Sequence, residues 1–545
     1  MKILNKISST RNSLVFSKSF ILCLLSFTGW KRQAVLFLCG AFTALALPPF
    51  YLIPLCFLTF PIFIVLLDEI NTIQNNKKRL LTYALSCGIF GFGYFLCGLW
   101  WLCNALLTDP VAFGWAVPFA ILGPPLYLSL YWFFAGFIAC LLWTKGIARF
   151  FVLAFALGLA EWMRALLFTG FPWNALGYTV MPTPMLMQSD AIVGLYGMNI
   201  LAVLVYSLPT VLLTGEKKKN ALSLCLALLL LHSGFGLYRL KTAPNMADYQ
   251  KSSYWVRIVQ PSIPQNTKLS NTTREAIFTA HMNLTASSTA DQNPEPDLIV
   301  WPEASLPYLL GDNSDNITMR IASLLKPKQW AIIGAIRASN DPANAQTQYF
   351  NTIAVINAKG NVLNTSDKLH LVPFGEYLPY QNLLKKIGLH ILSDTIGGYS
   401  AASVRKTVMI PNGFSYLPLI CYEAIFPNEM TFKGPSPQAI INVTNDAWFG
   451  ITPGPYQHLQ QARLRAVELG IPLIRAANNG ISAVIDSYGR IVVALQQNAV
   501  DIIDSPIPSS IATIGSNGYK IFSTFILFIL MLLCRVCFGS TKQLQ

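Results

Sequence analysis

The hydrophobic residues of this chain are concentrated in its first half, in runs long enough to cross a lipid bilayer. A helix needs about 20 apolar residues to span a hydrocarbon core of about 30 Å. Seven such runs precede a polar region, and an eighth lies near the C-terminus, from Ile521 to Phe538. The first seven cover residues 33–50, 51–70, 80–106, 113–143, 148–168, 186–214 and 220–240. The pattern predicts a multi-span α-helical membrane bundle of about eight spans.

A different pattern begins at Trp255, where short β-branched runs alternate with amphipathic segments. Strands are predicted over Trp255–Gln260, Leu298–Trp301, Trp330–Ile336, Thr352–Ile356, Tyr416–Tyr422, Ala439–Asn445, Pro472–Ala477, Ser482–Ser487 and Ile491–Leu495. Helices are predicted over Thr273–Leu284, Ile317–Leu325 and Tyr456–Leu469. Strands interleaved with helices indicate an α/β sandwich.

The two patterns divide the chain into five parts. These are a cytoplasmic or interfacial segment 1–32, a membrane domain of about seven helices 33–240, an inserted α/β domain 255–508, a final span 518–538 and a tail 539–545. The linkers on both sides of the α/β domain are short, so this domain is expected to stay close to the membrane surface.

The basic residues predict the orientation of the bundle. The chain carries 39 Lys and Arg against 25 Asp and Glu, a net charge of +14. Clusters such as 77–79 and 217–219 occupy alternate connections between the spans, and the other connections carry almost none. The positive-inside rule places the N-terminus and these clusters in the cytoplasm, and hence the 255–508 domain outside it. The positive charge therefore needs no nucleic-acid partner.

Cys421 is the only cysteine between Trp255 and Pro508, so it has no disulfide partner within that domain. It ends the apolar run Leu417–Ile420 and is followed by Tyr422 and Glu423. This placement suits a nucleophile at the tip of a buried strand. A small buried hydrophobic residue is the alternative interpretation.

Two charged residues occupy comparable positions, Glu303 after the run Leu298–Pro302 and Lys368 in the segment 367–373. A carboxylate that takes a proton, an ammonium that stabilises a thiolate or oxyanion, and a thiol together form a plausible acyl-transfer centre. Solvated surface charges are the alternative for each residue alone. A papain-like pair of Cys421 with His458 is a second possibility. The histidines lack a metal-ligand spacing, so no metal or other cofactor is expected.

Several motifs resemble a known family. They are Trp301–Glu303 (WPE), Lys368 with His370–Tyr377 (HLVPFGEY), Cys421–Glu423 (CYE), Thr444–Gly450 (TNDAWFG), Gly454–His458 (GPYQH), Ala477–Ser482 (ANNGIS) and Thr169–Trp173 (TGFPW) with Glu161 and Arg164. Together they resemble the nitrilase superfamily and, within it, the apolipoprotein N-acyltransferases. The resemblance covers nearly the whole chain beyond about residue 33, and it implies a nitrilase-like αββα sandwich for the outer domain.

The resemblance also implies roles for individual residues. Glu303 would be the general base, Lys368 the electrostatic stabiliser, and Cys421 the nucleophile that becomes acylated. Glu376 would hold Lys368 or relay protons, and Tyr422 and Glu423 would support the cysteine. Trp448 and Phe449 would face the lipid cleft, with packing in the protein core as the alternative. Position 269 would face the cleft as well, and here this chain has Leu269 where the family commonly has tryptophan.

The implied reaction is ping-pong acyl transfer at the outer surface of the bacterial inner membrane, on its periplasmic side. A phospholipid would donate the acyl group to Cys421, and a diacylglyceryl apolipoprotein would accept it on its α-amino group. The protein is expected to act as a monomer, with residues 381–403 as a candidate lid. A membrane-tethered nitrilase-type amidase and a transporter or sensor with an outer binding domain are the competing functions. On the helix 148–168, Glu161 and Arg164 are expected to form a structural pair, with headgroup binding as the alternative.

Overall fold

The computed structural model describes residues 22, 24, 26–214, 218–268, 271–290, 293–311, 316–340, 347–380, 398–512 and 517–539. The chain divides into two compact units. Asn104–Ala112 and Thr242–Asn517 belong to the second unit, and the rest belongs to the first. The sequence pattern did not predict that the short segment Asn104–Ala112 belongs to the second unit.

Helices of the first unit coincide with the eight predicted spans. Their bounds are Gly29–Ala44, Cys56–Ile70, Asn76–Leu99, Val117–Leu142, Ala148–Leu166, Asp190–Ser207, Lys218–Lys241 and Asn517–Gly539. The first predicted span is shorter than expected, because its helix ends at Ala44, before Pro48 and Pro49. Short helical turns cover Pro110–Phe113, Pro184–Met187 and Val211–Thr214.

Five segments of the described chain are long and apolar enough to cross a membrane, by length and composition. They are Ile53–Ile70, Asn76–Thr108, Pro110–Leu142, Asp190–Thr214 and Lys219–Lys241. Three helices fall outside this set: Gly29–Ala44 has only 16 residues, Ala148–Leu166 carries buried Arg149, Glu161 and Arg164, and the apolar part of the last helix covers only Thr524–Val536. The predicted helical character of this part is therefore confirmed, and five of its segments could span a membrane. The predicted number of eight spans also depends on the helices that are shorter or more polar.

The second unit contains two sheets, whose strands are numbered here in chain order. They are β1 (Trp255–Gln260), β2 (Leu298–Val300), β3 (Leu309–Leu310), β4 (Trp330–Asn340), β5 (Thr347–Asn357), β6 (Val362–Asp367), β7 (Val408–Met409), β8 (Ser415–Ile420), β9 (Ala439–Thr444), β10 (Leu473–Ala477), β11 (Ala483–Ile485), β12 (Ile491–Ala494) and β13 (Asp501–Pro506). One sheet has the order β13-β1-β2-β4-β5-β6, with β3 beside β4, and the other has β12-β11-β10-β9-β8-β7.

The apolar faces of the two sheets form a common core, because strand residues alternate between two faces. Val256, Val300 and Ile332 of the first sheet share one cluster with Ile441 and Ile474 of the second. The opposite face of each sheet has its own apolar cluster. Helices Arg274–Thr285 and Ile317–Ala322 contribute to the one, and Gly454–Leu469 contributes to the other. The predicted αββα sandwich is confirmed.

Two of the strands that the sequence pattern missed, β6 and β13, carry polar residues. Four of the six residues of β6 are exposed, and β13 contains Asp501, Asp504 and Pro506. Edge strands of this kind lack the β-branched alternation by which a strand is recognised. The two-residue strands β3 and β7 are too short to produce a pattern.

Candidate active site

The chemistry-bearing residues of the second unit follow the carboxyl ends of neighbouring strands. Strands β1, β2 and β4 run parallel to one another, and so do β8, β9 and β10. Parallel strands present their carboxyl ends at one edge of a sheet. Glu303 follows β2, Cys421 follows β8 and Asn445 follows β9. Lys368 directly follows β6, an antiparallel neighbour of β5.

Cys421 lies at a sharp turn from strand to helix. Strand β8 ends at Ile420, and a 3₁₀ turn begins at Cys421, whose φ of 49° is in the left-handed region. That region costs a non-glycine residue of the order of 1–3 kcal/mol, and such strain is concentrated at functional sites. The thiol is buried, with the residue 7% exposed. A nucleophile held on a tight strand-to-helix turn has its side chain lifted above the edge of the sheet.

Glu423 connects the turn at Cys421 to the segment that follows Lys368. One carboxylate oxygen accepts the backbone N–H of Ile420 at 2.6 Å. The other accepts the backbone N–H of Leu369 at 2.7 Å and a guanidinium N–H of Arg405 at 2.8 Å. Glu423 is 2% exposed, so these are buried charge-assisted hydrogen bonds. The predicted supporting role of Glu423 therefore has a geometric basis.

Lys368 lies between two carboxylates. Its Nζ is 2.8 Å from Glu376 Oε1 and 3.3 Å from Glu303 Oε1. Asn351 donates from Nδ2 to the same two oxygens, at 3.0 and 2.8 Å. Glu376 Oε2 accepts the backbone N–H of Val372 at 2.8 Å. Of the two roles predicted for Glu376, this geometry favours holding the lysine.

Glu303 is held from three sides. Its second oxygen accepts the backbone N–H of Asn445 at 2.9 Å, in addition to the contacts with Lys368 and Asn351. The chain around it packs against Gly334 of β4, where a Cβ atom would lie 2.2 Å from the carbonyl oxygen of Pro302. Only glycine allows this close approach. The carboxylate is thus fixed both by its partners and by its backbone.

The electrostatics favour a neutral thiol beside a charged lysine. Burial tends to lower the pKa of Lys368, but the carboxylates of Glu376 and Glu303 outweigh that effect and raise it above its usual range. Burial and the Glu303 carboxylate raise the pKa of Cys421, against the opposing effect of Lys368. The sulfur is therefore protonated in the resting state, so that attack requires proton transfer to a base.

A second lysine, Lys268, lies near this cluster. Its Nζ donates to the backbone oxygens of Glu303 at 3.3 Å and of Ala304 at 3.2 Å. Ala304 has a φ of 45°, so the lysine supports a strained turn directly after the general-base candidate. Burial lowers the pKa of Lys268 to about 8, while the negative charge of Glu303 opposes that shift. Sequence reasoning singled out neither Lys268 nor Asn351.

His458 does not contact the thiol as a papain-like partner would. Its Nε2 lies 3.1 Å from the backbone oxygen of Cys421, and its Nδ1 lies 2.8 Å from Asp446 Oδ1. The sulfur instead lies 3.1 Å from the hydroxyl oxygen of Thr444. The Cys421–His458 alternative therefore lacks its defining contact.

The remaining predicted residues are distributed around the site. Tyr422 packs its ring against His370 and Phe426, at centroid distances of 5.5 and 5.0 Å. Trp448 is 36% exposed, whereas Phe449 is half-buried, with its ring 5.9 Å from that of His458. Leu269 and residues 381–397 of the candidate lid lie outside the described residues.

The pair Glu161–Arg164 lies in the first unit, on the helix Ala148–Leu166. Arg164 donates to both carboxylate oxygens of Glu161, at 2.5 and 3.2 Å, and both side chains are fully buried. Arg164 also donates to the backbone oxygens of Phe171 and Trp173, and therefore holds the loop 169–173. This geometry favours the structural role over headgroup binding.

Comparisons with known proteins agree with the fold. A carbon-nitrogen hydrolase domain matches residues 255–514, and the apolipoprotein N-acyltransferase N-terminal domain matches residues 39–208. The solved structure of Saccharomyces cerevisiae Nit3, of branch 10 of the nitrilase superfamily, is 19% identical and covers 48% of this chain and 92% of that chain, with a TM-score of 0.33. The two domain matches define the class of protein, a helical acyltransferase N-terminal domain joined to a carbon–nitrogen hydrolase domain.

Full-length relatives identify the family. The apolipoprotein N-acyltransferase of Brucella suis is 46% identical over 484 residues, 88% of this chain and 91% of the relative. That of Rhizobium meliloti is 43% identical over 523 residues, 95% of this chain and 98% of the relative. The chain belongs to the apolipoprotein N-acyltransferase family. It is an acyltransferase that acts on apolipoproteins and uses a lipid donor.

Proposed function

We propose that the enzyme works by a ping-pong mechanism in which Cys421 carries the acyl group as a thioester. The donor is a membrane phospholipid, and the acceptor is the α-amino group of the diacylglyceryl-modified N-terminal cysteine of an apolipoprotein. The observation that supports this most directly is the position of Cys421. It is buried in a left-handed turn at the end of β8, within the electrostatic influence of Glu303 and Lys368.

In the first half-reaction, Glu303 takes the proton of Cys421 as the sulfur attacks the ester carbonyl carbon of the phospholipid. The carbonyl oxygen becomes an oxyanion, which the ammonium of Lys368 stabilises. The tetrahedral intermediate collapses, the ester C–O bond breaks, and the departing alkoxide takes the proton from Glu303. The products are a lysophospholipid and the Cys421 thioester.

In the second half-reaction, the α-amine attacks the thioester carbonyl and gives up a proton to Glu303. The C–S bond breaks, the sulfur regains a proton, and the product leaves as an amide. Glu376 and Asn351 act by position, because they hold Lys368 and Glu303 in place. A buried site also limits hydrolysis of the thioester by water.

The location follows from the charge pattern and from the substrates. The enzyme would lie in the bacterial inner membrane as a multi-pass protein, with its N-terminus in the cytoplasm and the catalytic domain on the periplasmic side. Both substrates have acyl chains in the bilayer and their reacting groups at its surface. A catalytic domain linked to membrane helices replaces a three-dimensional search with positioning. A monomer would suffice, since the proposed catalytic residues all come from one chain.

The proposal is tested by mass spectrometry of the full-length protein in mixed micelles with phospholipid and no amine acceptor. A fatty-acyl mass should appear on the peptide that contains Cys421. It should be removed by neutral hydroxylamine and be absent from Cys421→Ala. Addition of a diacylated lipopeptide should then transfer the acyl group to the α-amine of the peptide. Glu429→Gln, which alters a partly exposed carboxylate bound to His370, is the matched control that should load normally.

Two results would count against the mechanism. An acyl group that passes to the lipopeptide in Cys421→Ala would exclude the thioester. A thioester that is discharged to water at the same rate with and without the lipopeptide would favour the amidase-type hydrolase.

A further inference from the structure

A single hydroxyl near the nucleophile has two acceptors. Thr444 Oγ1, at the end of β9, lies 3.1 Å from the sulfur of Cys421 and 3.1 Å from Oδ1 of Asp446. A hydroxyl carries one proton, so it donates to only one of them at a time. Thr444 is fully buried, so bulk solvent does not reach its hydroxyl.

Asp446 is a fixed negative charge in this arrangement. Its Oδ2 accepts from Arg475 at 2.8 Å, and its Oδ1 lies 2.8 Å from Nδ1 of His458. Burial tends to raise the pKa of Asp446, but Arg475 and His458 outweigh that effect and lower it to about 2. At Gly480 a Cβ atom would lie 2.1 Å from Oδ2, so the backbone packs directly against the carboxylate. Asp446 is therefore a permanent acceptor that cannot move away.

The other acceptor changes its charge during the reaction. The sulfur of Cys421 is a weak acceptor as a thiol, a strong one as a thiolate, and a weak one again as a thioester. A carboxylate wins the competition for the hydroxyl against a thiol, whereas a thiolate competes on equal terms. The geometry already provides both hydrogen-bond distances, so that only the hydroxyl hydrogen has to rotate.

We propose that Thr444 is a further catalytic residue, whose hydroxyl donates to Asp446 while Cys421 is a thiol and turns to the sulfur when the thiolate forms. The proton of the sulfur goes to Glu303, and the hydroxyl proton stays on Thr444 throughout. This role rests on the proposed function of Cys421 as the nucleophile. Asp446, Arg475 and His458 act as positioning residues.

The position of Thr444 in the chain links both reacting groups. Its side chain contacts the nucleophile, and the next backbone N–H, from Asn445, binds the carboxylate of Glu303 at 2.9 Å. His458 Nε2 lies near the backbone oxygen of Cys421, and this contact helps to fix the turn that carries the sulfur. The end of β9 therefore sets the separation of base and nucleophile.

The test is the rate at which iodoacetamide alkylates Cys421, measured on the full-length protein by peptide mass spectrometry between pH 7 and 9. Thr444→Val removes the hydroxyl and keeps the shape, and Thr444→Ser keeps the hydroxyl. A lost hydrogen bond to a charged group should slow alkylation in Thr444→Val by about tenfold or more at each pH. Thr444→Ser should remain within about threefold of the parent protein. Thr444→Ala provides the same readout if the valine variant does not fold.

A merely structural threonine gives a different result. Thr444→Val would then unfold at a lower temperature, but the folded protein would be alkylated at the parent rate, and that outcome overturns the proposal. Equal slowing in Thr444→Ser and Thr444→Val overturns it as well. Alkylation needs no lipid, so this experiment remains informative even if phospholipid fails to acylate Cys421.

Discussion

Two buried clusters of charge, one in each unit, differ in their surroundings, and we assign a structural role to the first and propose a catalytic role for the second. In the helical unit, Glu161 faces Arg164, and Trp132 donates its indole N–H to the same carboxylate at 2.8 Å. In the second unit, Lys368 faces both Glu303 and Glu376. The first cluster has one negative and one positive charge. In the second cluster, two carboxylates contact the ammonium group of Lys368, and the thiol of Cys421 lies nearby.

The two clusters have different chemical surroundings. The guanidinium donors of Arg164 are directed at Glu161 and at the carbonyls of Phe171 and Trp173. Such a pair can only hold a loop in place. In the second cluster, burial and the Glu303 carboxylate raise the pKa of Cys421, and the same carboxylate is placed to accept its proton. A carboxylate beside a thiol can therefore take part in proton transfer, whereas the contacts of the Glu161–Arg164 pair are structural.

The strongest test of this contrast is Glu303→Gln, which removes the negative charge of the proposed base. Acyl loading of Cys421 should fall about 10³-fold, because the general base is lost. Alkylation by iodoacetamide should instead become about tenfold faster at each pH between 7 and 9, because the negative charge that raises the pKa of the thiol is gone. Both rates are obtained from the same peptide by mass spectrometry. Equal slowing of the two reactions would contradict the role of Glu303 as base.

The converse test concerns the pair Glu161–Arg164 of the helical unit. Glu161→Gln leaves the buried guanidinium of Arg164 without its charge partner, which should lower the free energy of unfolding by about 3–5 kcal/mol. Thermal unfolding in detergent measures the loss, and Glu161→Gln combined with Arg164→Met should recover part of it. The folded fraction of Glu161→Gln should still be acylated on Cys421. A variant with normal stability and no acylation would instead favour binding of a lipid headgroup.

In each of the two clusters, some residues could be predicted from the sequence and others could not. Glu303, Lys368 and Cys421 could be found because each follows a recognisable strand or sits in a distinctive motif. Asn351 could not be found, since it contacts Glu303 and Glu376 only through the pairing of β5 with β6, which brings the backbone of Asn351 to that of Lys368. No local pattern encodes such a contact. The same holds for Trp132, which contacts Glu161 from a different helix.

Strand prediction shows the same limit. Strand β1 was predicted residue for residue, because Trp255–Gln260 is a continuous buried run. Strands β6 and β13 were missed, since their polar side chains are compatible with loops, and only pairing with a neighbour makes them strands. Sequence patterns therefore specified the buried layers and the candidate nucleophile, whereas the edges of the sheets and the partners of the charged residues required the folded structure.

Glu376→Gln tests whether the second carboxylate acts through Lys368. Lys368 would keep Glu303 but lose its closer partner, at 2.8 Å, and turnover should fall about 10²-fold through loss of position. The substitution should change alkylation of Cys421 much less than Glu303→Gln does. Glu429→Gln is the control, because this carboxylate pairs with His370 in the same region and should change turnover less than about twofold. Equal losses in the two variants would show that Glu376 has no special link to the lysine.

The smallest expected effect belongs to Lys268, whose ammonium supports the turn after Glu303. With a pKa of about 8 it is charged below that pH and neutral above it, so loading of Cys421 should decline as the pH rises through about 8. Lys268→Met should be about tenfold slower at pH 7, since two backbone carbonyls of the turn lose their donor, and it should show no decline at pH 8. Lys268→Arg remains charged and should stay active to a higher pH than the parent protein. A decline at pH 8 that persists in Lys268→Arg would assign the titration to another group.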